Sequence, residues 1–243
     1  MLRPIVLSNG EMHVGLNNFG LVHDFYFPYV GLTNHSEGAM TRHRIGVWID
    51  GRISWLDDEG EWEFTFRYPQ RALVGHMLAK NESIQVLLEI DSTVDSHLNA
   101  FMRNIHVVNL ADHDREIRLF THQAFVIDDS RSKTDTAQYL PDSDAIVHYR
   151  GRRAFVVSGL YEDKPFDQHG IGLFGIEGYE STYRDAEDGE LAGGNVEHGR
   201  VDSILRFKLN VPAHSSKRVH YWIAAGSSIR EALYVDKTIR NDG

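Results

Sequence analysis

Four aromatics, a proline and an Asn-His pair fall within eleven residues, Phe25-Tyr26-Phe27-Pro28-Tyr29-Val30-Gly31-Leu32-Thr33-Asn34-His35. Phe25 and Phe27 alternate as core residues. Tyr29, Asn34 and His35 fall past Pro28, where a rigid loop would leave a strand. An aromatic ring can stack on the face of a sugar, while an amide and an imidazole offer paired hydrogen bonds to its hydroxyls. Apolar walls with a few placed polar groups are what small-molecule pockets share. These three residues are the candidate rim of a binding site. The same residues could instead tie the loop down through their own hydrogen bonds, and the sequence leaves both open.

A second polar concentration is Arg184, Asp185, Glu187, Asp188 and Glu190. Its spacing departs from that of a calcium loop, so a solvated or interface-facing acidic turn is the expectation. Gly170-Ile171-Gly172-Leu173-Phe174-Gly175 fits the dinucleotide fingerprint letter by letter. That fingerprint works where a strand feeds a helix N-terminus, and neither Pro165-Phe166-Asp167 before it nor Ile176-Glu177-Gly178 after it suits such a role. A glycine-rich strand or loop is expected there.

The 14 histidines raise the question of a metal. No two stand four apart with a glutamate between them, as a zincin helix requires. His106 and His122 lie on different predicted strands that could be neighbours, with His113 between; hydrogen-bonded strand histidines are the ordinary reading. There is no Gly-x-Ser-x-Gly elbow, and 35 acidic residues give no means of choosing a carboxylate pair. No catalytic residue, metal ligand or cofactor is assigned.

The elements that must position these groups read as strands. In Glu61-Trp62-Glu63-Phe64-Thr65-Phe66-Arg67-Tyr68 every second residue is aromatic, which gathers the rings on one face of a strand. Leu205, Phe207, Leu209 and Val211 alternate with Arg206, Lys208 and Asn210. Residues 84–90, 117–121, 153–157 and 219–223 follow the same period less cleanly. Ile45, Val47 and Ile49 lead into Asp50-Gly51, a hairpin signal. Antiparallel sheets with one wet face each follow from this pattern, and two of them must pack face to face. Residues 161–200 lack sustained alternation and read as a long connection, with a short helical turn from Thr182 ended by Gly189. Ser228 and Glu231 form a capping box, so a helix is expected from there. The expected division is 1–226 as the β-sandwich domain and 227–243 as the start of a helical linker.

The chain has 243 residues and carries 25 basic against 35 acidic side chains, a net charge of −10. The acidic balance excludes a nucleic-acid partner of the usual basic-faced kind. No apolar run has membrane-spanning length and the apolar stretch at the N-terminus is too short for a signal peptide, which makes a soluble cytoplasmic protein the expectation. Without cysteine, disulfide scaffolds, thiolate metal sites and thiol nucleophiles are excluded. At this length the folded surface should be roughly 11,000 Å².

The sequence resembles the N-terminal domain of prokaryotic glycoside hydrolase family 15 proteins, the glucoamylase, glucodextranase and trehalase type. The resemblance is carried by 9–15, by Gly20 through Gly31 with Asn34-His35, and by Trp48-Ile49-Asp50-Gly51. It continues through 114–122 and is strongest over Thr182 to Leu191 with Glu197-His198-Gly199 and Val201-Asp202-Ser203. Related sequences tend to read Glu-Gly-Thr where this chain has Glu180-Ser181-Thr182. The resemblance implies an all-β fold, an antiparallel β-supersandwich of the galactose-mutarotase-like kind. It also implies a following (α/α)6 barrel that holds both catalytic glutamates of an inverting glycoside hydrolase, so that no catalytic residue belongs to this chain. The partners so implied are that barrel and its α-glucan or trehalose substrate. The acidic turn would serve domain contact. A stand-alone sugar-binding module and a mutarotase-like epimerase are the rival readings.

Overall fold

The computed structural model describes residues 3–36, 43–69, 72–127, 134–176 and 178–242. Three antiparallel sheets account for nearly all regular structure, as the alternating patterns require. The largest has ten strands. Its main path runs from Val196–Gly199 at one edge through Asp135–Leu140, Ala145–Arg150, Arg153–Tyr161, Ser216–Gly226, Ala100–Asn109, Val86–Val94 and Gly75–Asn81 to Glu63–Arg67. The second has six, in the order Tyr179–Glu180, Gln168–Ile176, Val201–Val211, Arg115–Ala124, Arg44–Ile49 and Arg52–Trp55. A small third sheet is formed by Ile5–Ser8, His13–Leu16 and Val22–Tyr26, strands too short for period-two alternation to mark them out.

Each strand delivers one face to a shared interior. Leu205, Phe207, Leu209 and Val211 are buried together with Ile117, Leu119, Ile105, Val107 and Ile223. Phe155 is the hub of an aromatic cluster, its ring 5.2 Å from Phe25 and 4.9 Å from Phe125, in the offset and edge arrangements that aromatic quadrupoles favour. The exposed surface is 11448 Å², matching the size expected of one well-buried unit. The Asp50-Gly51 turn closes the Arg44–Ile49/Arg52–Trp55 hairpin with both residues at positive φ, 52° and 83°. That geometry matches the right-handed twist of the flanking strands.

Two expectations need correction. The connection 161–200 contains a nine-residue strand, Gln168–Ile176, paired antiparallel with Val201–Val211. The dinucleotide-like glycines sit in it, although Glu177 lies outside the described residues. Glycine hid the strand by removing alternate side chains, and for a reason: a Cβ on Gly172 would sit 2.8 Å from Thr182, whose turn crosses this face. Arg206, expected on a wet face, is 5% exposed because the same turn covers it.

The expected helix is Ile229–Asp242. Ser228 Oγ accepts the Glu231 N–H, and the Glu231 carboxylate reaches back to the Ser227 N–H at 3.0 Å, a capping box shifted by one residue at its return bond. Ala232 and Val235 pack on Trp222, Ala224, Val147 and Val156 on the outer face of the ten-stranded sheet. The Trp222 indole N–H donates to Asp236 at 2.8 Å and Arg240 bridges Asp236 to the Asp144 carbonyl. No helix of the described residues is long and apolar enough to cross a membrane.

Candidate functional site

The loop after Val22–Tyr26 divides its three candidate residues between two tasks. Asn34 is a fastener. Its Oδ1 accepts the N–H groups of Phe25 and Ser36 at 2.9 and 3.1 Å, and its amide donates to Asp24 at 3.2 Å. His35 has no exposed surface. Its Nδ1 lies 2.8 Å from the Val126 carbonyl and its Nε2 3.2 Å from that of Phe27, while its ring meets the Phe155 edge at 4.9 Å. A side chain so enclosed cannot offer its nitrogens to an incoming sugar, and the expected rim role fits neither Asn34 nor His35 in this geometry. Tyr29, 55% exposed, and Val30 beside it face outward.

The acidic turn lies over the outer face of the six-stranded sheet. Thr182–Asp188 forms the short helical turn and Gly189 ends it in the left-handed conformation, φ 82°. A Cβ at Gly189 would come within 2.7 Å of Trp48 and Arg118, so glycine answers both conformation and space. Ala186 and Leu191 descend onto Trp55, Phe120 and Ile204 in a small apolar cluster.

Charges then fasten the turn. Arg206 reaches the Gly189 carbonyl at 2.8 Å and Glu190 at 2.7 Å, and its Nε donates to Asp167 at 3.0 Å. Arg118 donates to Gly189 O and Glu190 Oε1 and lies 4.3 Å over the Trp48 ring. The Gln168 amide, then Arg206 and Arg118, hold the Glu190 carboxyl below the usual range. Burial opposes the charge on Arg206, but Asp167 and Glu190 outweigh it and raise its pKa. Asp185 accepts the Ala192 N–H at 2.7 Å and Asp188 that of Glu190 at 2.9 Å. Glu190 therefore holds the turn to its own sheet, while Asp185 and Asp188 brace the turn and the chain just after it. Arg184 and Glu187, 3.0 Å apart with side chains 53% and 59% exposed, point away from it.

Beneath the start of the turn lies a group that sequence reasoning missed. Asp202 and His122 are fully buried, with His122 Nε2 and Asp202 Oδ2 3.0 Å apart. The same oxygen accepts the Ser181 hydroxyl and, at 3.0 Å, the Thr182 N–H. Burial alone would push Asp202 upward; the hydrogen bonds from His122, Ser181 and Thr182 hold it below the usual carboxylate range. Ser, His and Asp side by side invite comparison with a nucleophilic triad, in which serine and aspartate engage opposite nitrogens of the imidazole. Here both face Nε2, and Nδ1 is buried with no hydrogen bond among the described residues. The arrangement anchors a turn and differs from the geometry of such a triad. Ser181 itself has φ 110°, a glycine-type backbone, held in place by its bond to Asp202. His106, by contrast, sits on the ten-stranded sheet against Arg218 and does not meet His122.

Beside the turn is a groove of about 360 Å³ between the Arg44–Ile49/Arg52–Trp55 hairpin and Tyr183. Arg44 lies 4.2 Å over the Tyr183 ring and Arg184 5.1 Å from it, while Trp55 meets that ring edge-on at 5.8 Å. Arg44 also pairs with Asp57 at 3.1 Å, and burial pushes the Asp58 carboxyl up. The groove offers an aromatic floor with a rim of both charges, a surface suited to a polar partner. Among the described residues no group of three or more histidines, aspartates or glutamates is placed to hold a metal ion.

No family model matches the chain, and no curated protein matches it. Solved structures do match in fold. A bacterial glucoamylase, solved with acarbose, superposes with a TM-score of 0.77 at 12% identity, over 100% of this chain and 35% of the glucoamylase. A human-microbiome protein provisionally named a kojibiose phosphorylase gives 0.54 at 12% identity, over 98% of this chain and 35% of its own. An Escherichia coli K12 protein provisionally named an aldose 1-epimerase gives 0.56 at 10% identity, over 92% of this chain and 99% of its own. The fold is thus the mutarotase-like β-supersandwich, and the chain spans about a third of the first two structures it matches.

Proposed function

We propose that this chain is the non-catalytic β-sandwich domain of a family 15 type α-glucosidase, a domain that packs on an (α/α)6 barrel and stabilises it. The observation that carries this reading is the superposition of the whole chain on one third of a glucoamylase, at a TM-score well above that of the epimerase-like fold. The chemistry of the site agrees. His122, Ser181 and Asp202 are engaged with one another beneath the turn. Arg184 and Glu187, with the Tyr183 groove, form the proposed contact for the barrel. Asp185, Asp188 and Glu190 support that surface from behind. Tyr29 is the proposed reach toward the rim of the α-glucan or trehalose pocket, and Asn34 and His35 fix the loop that carries it. A cytoplasmic location belongs to the same proposal.

The test is an assay of the purified chain on maltooligosaccharides and trehalose. A folded chain without turnover is the expected result; saturable hydrolysis would sink the reading. The near-complete mutual coverage with the epimerase-like structure favours one alternative, a self-standing sugar epimerase. Accelerated interconversion of glucose anomers, lost on replacing a single histidine, would bring it forward.

A further inference from the structure

The outer face of the ten-stranded sheet is only partly covered by the Ile229–Asp242 helix. Beside the last turn of that helix is a trough of about 610 Å³, within the range of small-molecule sites. Its floor is a cross-strand row. Asp91 stands opposite Asn104, Asn104 opposite His220, and His220 opposite Leu160, on four neighbouring strands. Met102 and Ile239 add apolar wall.

Each polar member of the row is oriented by one hydrogen bond and keeps one group free. Asp91 Oδ1 holds the His76 imidazole at 2.8 Å, and Asn104 Oδ1 holds His220 Nδ1 at 2.6 Å. Among the described residues no hydrogen bond engages Asp91 Oδ2, the Asn104 amide N–H groups or His220 Nε2. His220 Nδ1 donates to the Asn104 oxygen, and in the neutral ring this leaves Nε2 as an acceptor. Read across the sheet, the free groups are acceptor, donor, acceptor. Strand spacing puts the outer two roughly 10 Å apart.

A neutral ring bearing several hydroxyls fits this pattern. Hydroxyls donate to Asp91 and His220 and accept from Asn104, while C–H faces lie against Met102, Leu160 and Ile239. An anion is disfavoured by Asp91 and by Asp163, which also lines the trough. We propose that the trough is a binding site for a neutral hexopyranose, read by Asp91, Asn104 and His220 and distinct from the turn and loop described above. The assignment goes beyond the accessory-domain reading, and neither depends on the other: absence of sugar binding leaves the absence of turnover intact, and turnover would leave the binding readout intact.

The experiment is a titration of the full chain with D-glucose, followed by amide NMR shifts, with glycerol as the acyclic control. The expected result is saturable binding with Kd of order millimolar, as suits an open site for one sugar ring. Shifts should be confined to the Asp91, Asn104 and His220 strands, with no saturation by glycerol. Asn104→Leu and His220→Leu, both at exposed positions, should each weaken binding by about tenfold with an unchanged thermal midpoint. No saturation by glucose below about 100 mM, saturation by glycerol as strong as by glucose, or glucose binding that both variants leave unaltered would each overturn the proposal.

Discussion

The two outer faces of the sandwich are finished in opposite ways. On the six-stranded sheet a charged turn closes the surface, and its carboxylates and arginines are consumed in doing so: Glu190 by Arg118 and Arg206, Asp202 by His122, Ser181 and Thr182. On the ten-stranded sheet an amphipathic helix covers part of the surface with apolar contacts and one buried polar latch, Trp222–Asp236–Arg240. Beside it the polar row keeps open valences. A high density of charge therefore marks the structurally closed face, while the face with bonding capacity left over carries few conspicuous residues. Buried polar groups that are fully partnered specify structure; those that are oriented yet half-engaged are available to a ligand.

The comparison can be broken in order of expected effect. Asp202→Ala should be the most damaging change, about 3–5 kcal/mol in urea unfolding, since it strips His122, Ser181 and Thr182 of their shared acceptor. A loss under about 1 kcal/mol would mean the turn is held mainly by Ala186 and Leu191.

Acid should act on the interior behind the same face. Burial holds His43 and His148 neutral with pKa values of about 3, against about 6.5 when unfolded. The unfolded chain takes up those protons first, so stability is full above about pH 6.5 and falls as pH drops toward 3. Asp202, held low, adds a loss that begins below its ordinary value near 4. Denaturant midpoints across pH 7 to 3 check this, and His148→Gln should flatten the upper part of the slope.

On the helical face Asp236→Ala leaves the buried Trp222 N–H without its acceptor, a cost of about 1–3 kcal/mol. Far-UV circular dichroism should show the helix loosening with it.

Ser181 provides a paired contrast. Ser181→Ala keeps the unfavourable φ and loses the hydroxyl bond, for about 1–3 kcal/mol. Ser181→Gly loses the bond but removes the backbone strain, so its net change should be under about 1 kcal/mol. Equal effects would mean the backbone at 181 is unstrained. At the small end, joint replacement of Arg184 and Glu187 by alanine should change the stability of this chain by less than about 0.5 kcal/mol, because both side chains are exposed. A larger loss would move them from the proposed contact surface into the fastening of the turn.

Much of the fold is legible in the sequence because strands announce themselves by period two. The Leu205-Phe207-Leu209-Val211 row and the Asp50-Gly51 turn stand where the pattern puts them. Legibility fails where a residue's environment is set by chain far away. Gln168–Ile176 shows no sustained alternation, leaving strand and loop both open, because its glycines make room for the turn, and Arg206 looks solvent-facing because its cover arrives from Gly189 and Glu190. The anchor under the turn joins His122 to Asp202 across 80 residues, a partnership that no local spacing discloses. In the 25–35 loop the residue types pointed correctly to hydrogen bonding but not to its direction. Asn34 and His35 bond inward to backbone, and the burial of His35 against Phe155 is what decides it.

The accessory-domain account is tested most directly by comparing this chain with the same gene product extended through the reading frame that follows Gly243. The account predicts no hydrolysis of maltooligosaccharides or trehalose by the chain alone. The extended protein should hydrolyse them, with a thermal midpoint that falls when residues 1–226 are deleted. Turnover by the chain alone, or a stop codon directly after Gly243, would contradict it.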